Sequence, residues 1–144
     1  MARGGIPSQV IKHFEAIPLF GSVSKKSLRA IVSAATEVDV KAGRVLVKEG
    51  GFDRDLFVIT RGEARVSRGD RKLATLGVGD FFGELAFLDR AARSATVTAA
   101  TDMRVMVLGP REMDVVLARE PVLAKSLLEA MAKRVRNNER SLQL

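Results

Sequence analysis

The sequence predicts an α+β fold: a small antiparallel β-barrel or jelly roll of about eight short strands, with helices before and after it. Three observations predict it. Apolar residues fall at helical spacing early in the chain and again after Pro110. Between Glu37 and Leu108 short valine-rich runs recur, separated by glycine-bearing turn signals. No stretch alternates a strand with a long helix, which disfavours a doubly wound parallel sheet.

The elements follow in order. A first helix is expected over 8–20 (SQVIKHFEAIPLF), where Val10, Ile11, Phe14 and Ile17 share a face, Ser8 is placed to cap it and Gly21 breaks it. Ser24 opens a second, SKKSLRAIVSAA, whose Leu28, Ile31 and Val32 again fall together. The strands are read in EVDVK, RVLVK, DLFVIT, EARVSR, KLATL, ATVTA and MRVMVL. Turn signals between them include Ala42-Gly43, Gly50-Gly51, Arg61-Gly62, Gly69-Asp70 and Gly77-Val78-Gly79-Asp80. Pro110 suits the first turn of a helix, where its missing N–H costs nothing, and REMDVVLARE follows it. Pro121 starts the last helix, with Leu123, Leu127 and Met131 as its apolar stripe. Arg134 and Asn138 continue that face, seven and eleven residues after Leu127. Polar side chains that extend an apolar stripe can aim at a ligand lying on the core; the plainer alternative is a frayed amphipathic end. With no linker, repeat or low-complexity tract, residues 1–144 are read as one domain. It divides into helices (8–36), barrel (37–108) and helices (110–142).

Composition narrows the function. Of 144 residues 47% are hydrophobic and 28% charged, an ordinary globular balance. Cysteine is absent, which excludes disulfides, thiolate metal sites and a cysteine nucleophile. His13 is the only histidine, so imidazole metal centres and Ser–His–Asp catalysis lack their parts. No metal, no cofactor and no enzyme activity are expected. No apolar run approaches the roughly 18 residues of a membrane span, and Met1 to Gln9 lacks the apolar core of a secretory signal. The cytoplasm is the expected compartment. The formal charge of +7 favours anionic partners: nucleic acid, an acidic membrane or a phosphate-bearing small molecule. Trp and Tyr are absent, which removes the usual stacking platform for single-stranded nucleic acid.

Chemistry concentrates in residues 81–97, FFGELAFLDRAARSATV. Gly83 permits close backbone approach. Glu84 to Leu88 can form one helical turn, whose free N–H groups at Leu85 and Ala86 would bind an anion. Arg93 can fork two donors onto phosphate oxygens, and Ser94 adds a hydroxyl. Glu84 would repel phosphate but accept strongly from a sugar hydroxyl. The set describes a ribose phosphate with a small anionic head. The plainer alternative is a core turn with Arg93 in a surface ion pair to Glu84 or Asp89.

This segment resembles the phosphate-binding cassette of the cyclic-nucleotide-binding domain family: Phe-Gly-Glu-Leu/Met-Ala, about eight residues, then Arg-Ser/Thr/Ala-Ala-Thr-Val. Here the eight residues Leu85 to Ala92 separate Glu84 from Arg93. The run KAGRVLVKEGGFDRDLFVITRGEARV is similar to the family's early strands, and the likeness covers roughly Val10 to Arg140. The resemblance implies that Gly83, Glu84, Leu85 and Ala86 hold sugar and phosphate, Glu84 at the ribose 2′-OH. It implies that Arg93 pairs with the cyclic phosphate and that Ser94 and Ala95 donate to its oxygens. Val66 would line the base, with Leu73 a weaker candidate. Either Arg134 or Asn138 would cap the base, Arg134 being favoured.

The segment departs from the family in Asp89-Arg90-Ala91-Ala92, where a Gly and a Pro usually precede the arginine. Arg90 then offers a second cation. A hydroxyl at position 94 bonds the guanine amino group in some cGMP-selective relatives, yet serine there is common in bacterial cAMP binders, so cAMP is favoured over cGMP. The resemblance implies a non-catalytic regulatory module of the bacterial cAMP-sensor type, resembling the domains of cyclic-nucleotide-gated channels and catabolite-activator regulators. Movement of the last helix would relay occupancy. The alternatives are part of a catabolite-activator-type transcription regulator, or a degenerate protein or nucleic-acid interaction module. The sequence as given carries no helix-turn-helix to read DNA. Monomer and homodimer both fit; Leu128, Val135 and Leu142 would serve a dimer contact or only the core.

Overall fold

The computed structural model describes residues 8–83 and 90–142. Helix α1 (Ser8–Glu15) stops earlier than expected, and a separate 3₁₀ turn, Pro18–Phe20, follows it. Pro18 is the cause: a proline brings no N–H to an α-helical ladder. Helix α2 (Lys25–Ala34) begins at Ser24, whose side chain accepts from the Ser27 N–H at 3.2 Å. Leu28, Ile31 and Val32 are buried on one face, as their spacing requires.

Among the described residues, eight antiparallel strands form two four-stranded sheets. The first, in the order β1 (Thr36–Val40), β8 (Met103–Leu108), β3 (Leu56–Arg61), β6 (Phe81–Phe82), lies between the helices and the second sheet. The second runs β2 (Val45–Val47), β7 (Thr96–Ala99), β4 (Ala64–Arg68), β5 (Arg71–Leu76). The chemistry of β3 explains its place. Leu56 to Ile59 is an unbroken apolar run, so it must be covered on both sides. Leu56 and Val58 pack with the helices, while Phe57 and Ile59 pack against the second sheet. Strand β4 alternates instead: Ala64 is buried and Arg65 exposed. Strand β6, two residues long, stands where the sequence signalled only the start of the cassette-like segment.

Helix α3 (Pro110–Arg119) starts at its proline, and α4 (Pro121–Leu142) follows after Glu120. Leu123 and Leu127 are buried and join the helical core. Leu128 and Val135 are 66% and 55% exposed, so neither belongs to the core. Among the described residues, no helix is long and apolar enough to cross a membrane.

Candidate functional site

The site starts from two phenylalanines. Phe57 on β3 stands opposite Phe82 on β6, and their rings stack with centroids 4.8 Å apart. That stack fixes where the chain leaves β6 at Gly83, whose φ of +95° is open to glycine alone at little cost. An added Cβ there would run into the Asp55 carbonyl oxygen and lie 2.8 Å from Arg93 Nη1.

Arg93 reaches this point from the far end of the segment. Its backbone is strapped to the Gly50-Gly51 turn: its N–H donates to the Gly51 carbonyl at 2.7 Å, and its carbonyl accepts from the Gly50 N–H at 2.9 Å. The side chain is buried. Nη1 donates to the Gly83 carbonyl at 3.0 Å and Nη2 to the Asp55 carbonyl at 2.9 Å. Asp53 takes both Nη2, at 2.6 Å, and Nε, at 3.3 Å. One Nη1 hydrogen is left without a partner among the described residues. Arg93 is therefore no surface residue, and among the described residues its acid is Asp53; Glu84 and Asp89 lie outside those residues. Burial pushes the Asp55 carboxyl above its ordinary pKa, with help from Asp53 and Glu112; the Arg93 charge opposes them.

Arg134 meets the same stretch of chain from the other side. Its guanidinium lies over the Phe81 ring, 4.2 Å from the centroid, and donates to the Phe81 carbonyl. Phe81 packs with the helical core and Phe82 with the inter-sheet core. The two arginines thus hold carbonyls two residues apart, Arg134 from the helix side and Arg93 from between the sheets.

Residues 37–120 match the family model described as the cyclic nucleotide-binding domain. The chain belongs to the cyclic-nucleotide-binding domain family. It is 32% identical over 119 residues to a cyclic nucleotide-gated potassium channel of Rhizobium etli, covering 83% of this chain and 33% of the channel. The crystal structure of the Thermus thermophilus catabolite activator protein matches with a TM-score of 0.80 at 26% identity, over 88% of this chain and 62% of that one. The regulatory domain of Toxoplasma gondii PKA, crystallised with cAMP, matches with a TM-score of 0.69 at 31% identity, over 76% of this chain and 43% of that one. The chain spans about a third or less of the length of its channel and kinase-subunit relatives.

Within this cyclic-nucleotide-binding domain the expected site residues divide. Gly83 and Arg93 come together. Ser94 follows exposed, and its carbonyl accepts from Arg68 Nε at 2.9 Å. Ala95 is half-buried. Val66 is half-buried against the inter-sheet core, in register with Val97, while Leu73 is largely exposed. Glu84, Leu85 and Ala86 lie outside the described residues, as does the side chain of Asn138. Asp53 and the Asp55 carbonyl were not foreseen. The only signal for them was a glycine- and acid-rich loop, Gly50 to Asp55, between two strands. The departure before the arginine has a backbone counterpart: Arg90 sits at φ +58°, the left-handed region that suits the glycine usual in the family.

Proposed function

We propose that residues 1–144 form a non-catalytic regulatory module that binds a cyclic nucleotide, cAMP in preference to cGMP, and relays its occupancy through α4. The observation that carries this reading is Arg93, a buried guanidinium held at the carbonyl that leads into the cassette sequence. A cyclic phosphate bears one negative charge, and burying it costs several kcal/mol unless charge-assisted hydrogen bonds replace water. Arg93 has one Nη1 hydrogen to offer. It gains more if Asp53, whose side chain is half exposed, turns outward. The backbone N–H groups of Leu85 and Ala86, with Ser94 and Ala95, complete the phosphate's shell. Glu84 accepts from the ribose 2′-OH, and Val66 lines the base. The choice of cAMP rests on Ser94 and on the relative crystallised with cAMP.

The relay rests on Arg134. To cap the base, its guanidinium must exchange the Phe81 carbonyl and ring for the nucleotide. The ligand then favours one position of α4 over another, which is the requirement for a switch. Asn138 is the alternative cap. A homodimer through α4 is compatible, since Leu128 and Val135 are exposed seven residues apart. The likeness to the Thermus catabolite activator protein favours a second reading, the sensor part of a transcription regulator. It shares the ligand and differs in effector.

Titration calorimetry with cAMP and then cGMP tests the ligand. Saturable one-to-one binding, tighter for cAMP and weakened by about 2–5 kcal/mol in Arg93→Ala, is expected. No heat with either nucleotide overturns the reading. Hydrogen exchange over 121–142 tests the relay: protection should change on saturation with cAMP, and an unchanged pattern removes α4 from it.

A further inference from the structure

The ladder between β4 and β7 ends at Ser67 opposite Thr96. Just before it the chain bends at Ser94 and Ala95, and β4 has only Arg68 left ahead of the Gly69-Asp70 turn. Here the Ser94 carbonyl takes its hydrogen bond from a side chain: Arg68 Nε donates to it at 2.9 Å. The residues on either side are held by other means. Arg93 is strapped through its own N–H and carbonyl to the Gly50-Gly51 turn. Thr96 stands in the ladder, and its hydroxyl accepts from the Glu49 N–H at 2.9 Å. Between these anchors the Ser94–Ala95 peptide is free to turn as a rigid plane about the single bonds that flank it. Among the described residues, Arg68 is what stops it.

Arg68 is itself held in place. It pairs with Arg71 across the Gly69-Asp70 turn, and the Gly69 N–H donates to Glu49 Oε1 at 3.0 Å. One residue, Glu49, thus ties both the hairpin tip and the start of β7 to the loop that straps Arg93. Among the described residues Arg68 makes no ion pair, and the Ser94 carbonyl is its one side-chain hydrogen-bond partner. A bond from a guanidinium is charge-assisted and stronger than a neutral one. A trans peptide points its carbonyl and its N–H in opposite directions. With the Ser94 carbonyl turned to Arg68, the Ala95 N–H faces away from Arg68. Turned over, the same peptide would show a carbonyl oxygen where it now shows that N–H, and a carbonyl oxygen repels an anion.

We propose that Arg68 is a positioning residue for the bound phosphate: by holding the Ser94 carbonyl it fixes the Ser94–Ala95 peptide, so that Ala95 offers its N–H to the anion. The inference rests on the nucleotide reading, in which Ala95 donates to the phosphate. It gives β4 a second residue at the nucleotide in addition to Val66, one that acts through a neighbouring peptide and not by touching the ligand.

Titration calorimetry with cAMP on the full chain, joined to amide spectra of the same isotope-labelled proteins, tests it. Arg68→Leu keeps an apolar stem and removes the donors. Arg71→Leu, across the turn, removes the same charge and leaves the Ser94 carbonyl bonded. Both positions are exposed, and thermal melts check folding. Arg68→Leu should weaken cAMP binding about tenfold, the scale of one hydrogen bond to a charged group. Arg71→Leu should bind as the parent does. In the ligand-free protein the Ala95 amide resonance should move in Arg68→Leu and stay in Arg71→Leu. Its shift on saturation with cAMP should shrink in Arg68→Leu alone. Parental affinity in Arg68→Leu overturns the proposal, and so does an Ala95 amide that does not move in it. An equal loss in both variants also overturns it, because Arg68 then acts only by general charge attraction. A parent that binds neither cAMP nor cGMP overturns the nucleotide reading itself, and this inference with it.

Discussion

Arg93 and Asp53 form an ion pair with opposite exposures: the arginine side chain is 3% exposed and the aspartate 48%. The cation belongs to the fold and the anion faces water, so the aspartate is the partner that can leave. Asp53→Asn should lower stability by about 1.5–3 kcal/mol, the range for a hydrogen bond to a charged group. A bound phosphate would restore the missing anion. The thermal shift produced by saturating cAMP should therefore be larger in the variant than in the parent. Equal shifts would mean that the phosphate does not take the place of Asp53.

Gly83→Ala should cost more than its backbone angle alone explains. A left-handed residue costs roughly 1–2 kcal/mol when it is not glycine. At Gly83 the new Cβ also meets the Asp55 carbonyl and Arg93 Nη1. Gly79, at φ +92°, separates the two effects, because a Cβ there meets only Ile17 Cγ1, at 4.0 Å. Urea melts of both alanine variants should show Gly83→Ala the more destabilised, with the excess reporting the crowding. Equal losses would remove the close approach from the account.

Arg90→Gly should stabilise the protein. It relieves about 1–2 kcal/mol of left-handed strain and adds about 0.4–1 kcal/mol of unfolded-chain entropy. The net gain is roughly 0.5–1 kcal/mol. A lower midpoint in a thermal melt would mean that the Arg90 side chain contributes more than the strain removes.

Asp55 sets a pH dependence. Its carboxyl titrates above its ordinary value of 3.8, chiefly through burial. Between 3.8 and the raised value the folded state holds a proton that the unfolded chain has lost. Stability from this group therefore falls as pH rises through that window and stays low at neutrality. Asp55→Asn keeps the carbonyl that Arg93 uses and removes the charge. It should be more stable than the parent at pH 7, with the advantage vanishing below 3.8. A difference independent of pH would assign the effect to packing.

Much of this was legible in the residues. The paired strands follow valine-rich runs, and Leu28, Ile31 and Val32 are buried as their spacing requires. That Gly83 and Arg93 meet was legible because a long motif fixes their separation. What stayed hidden lacks periodicity. Asp53 is a loop carboxylate 40 residues from Arg93, and only folding brings the two together. Strand β6 is two residues long, too short for alternation to register. Leu128 and Val135 fit a core stripe and an exposed one equally well, because helical spacing does not say which face a neighbour covers.

The two arginine contacts on residues 81–83 have a mechanical consequence. Among the described residues strand β6 pairs with β3 at Phe57 with Phe82 and Val58 with Phe81, and the turn before it adds the Ile59 N–H to the Asp80 carbonyl and the Gly79 N–H to the Ile59 carbonyl. One carbonyl of this stretch is gripped by Arg93 and another by Arg134. The two guanidinium groups are therefore joined through three consecutive residues. In the proposed relay this stretch would serve as a short axle, with the rest of the sheet as its bearing and α4 as the crank.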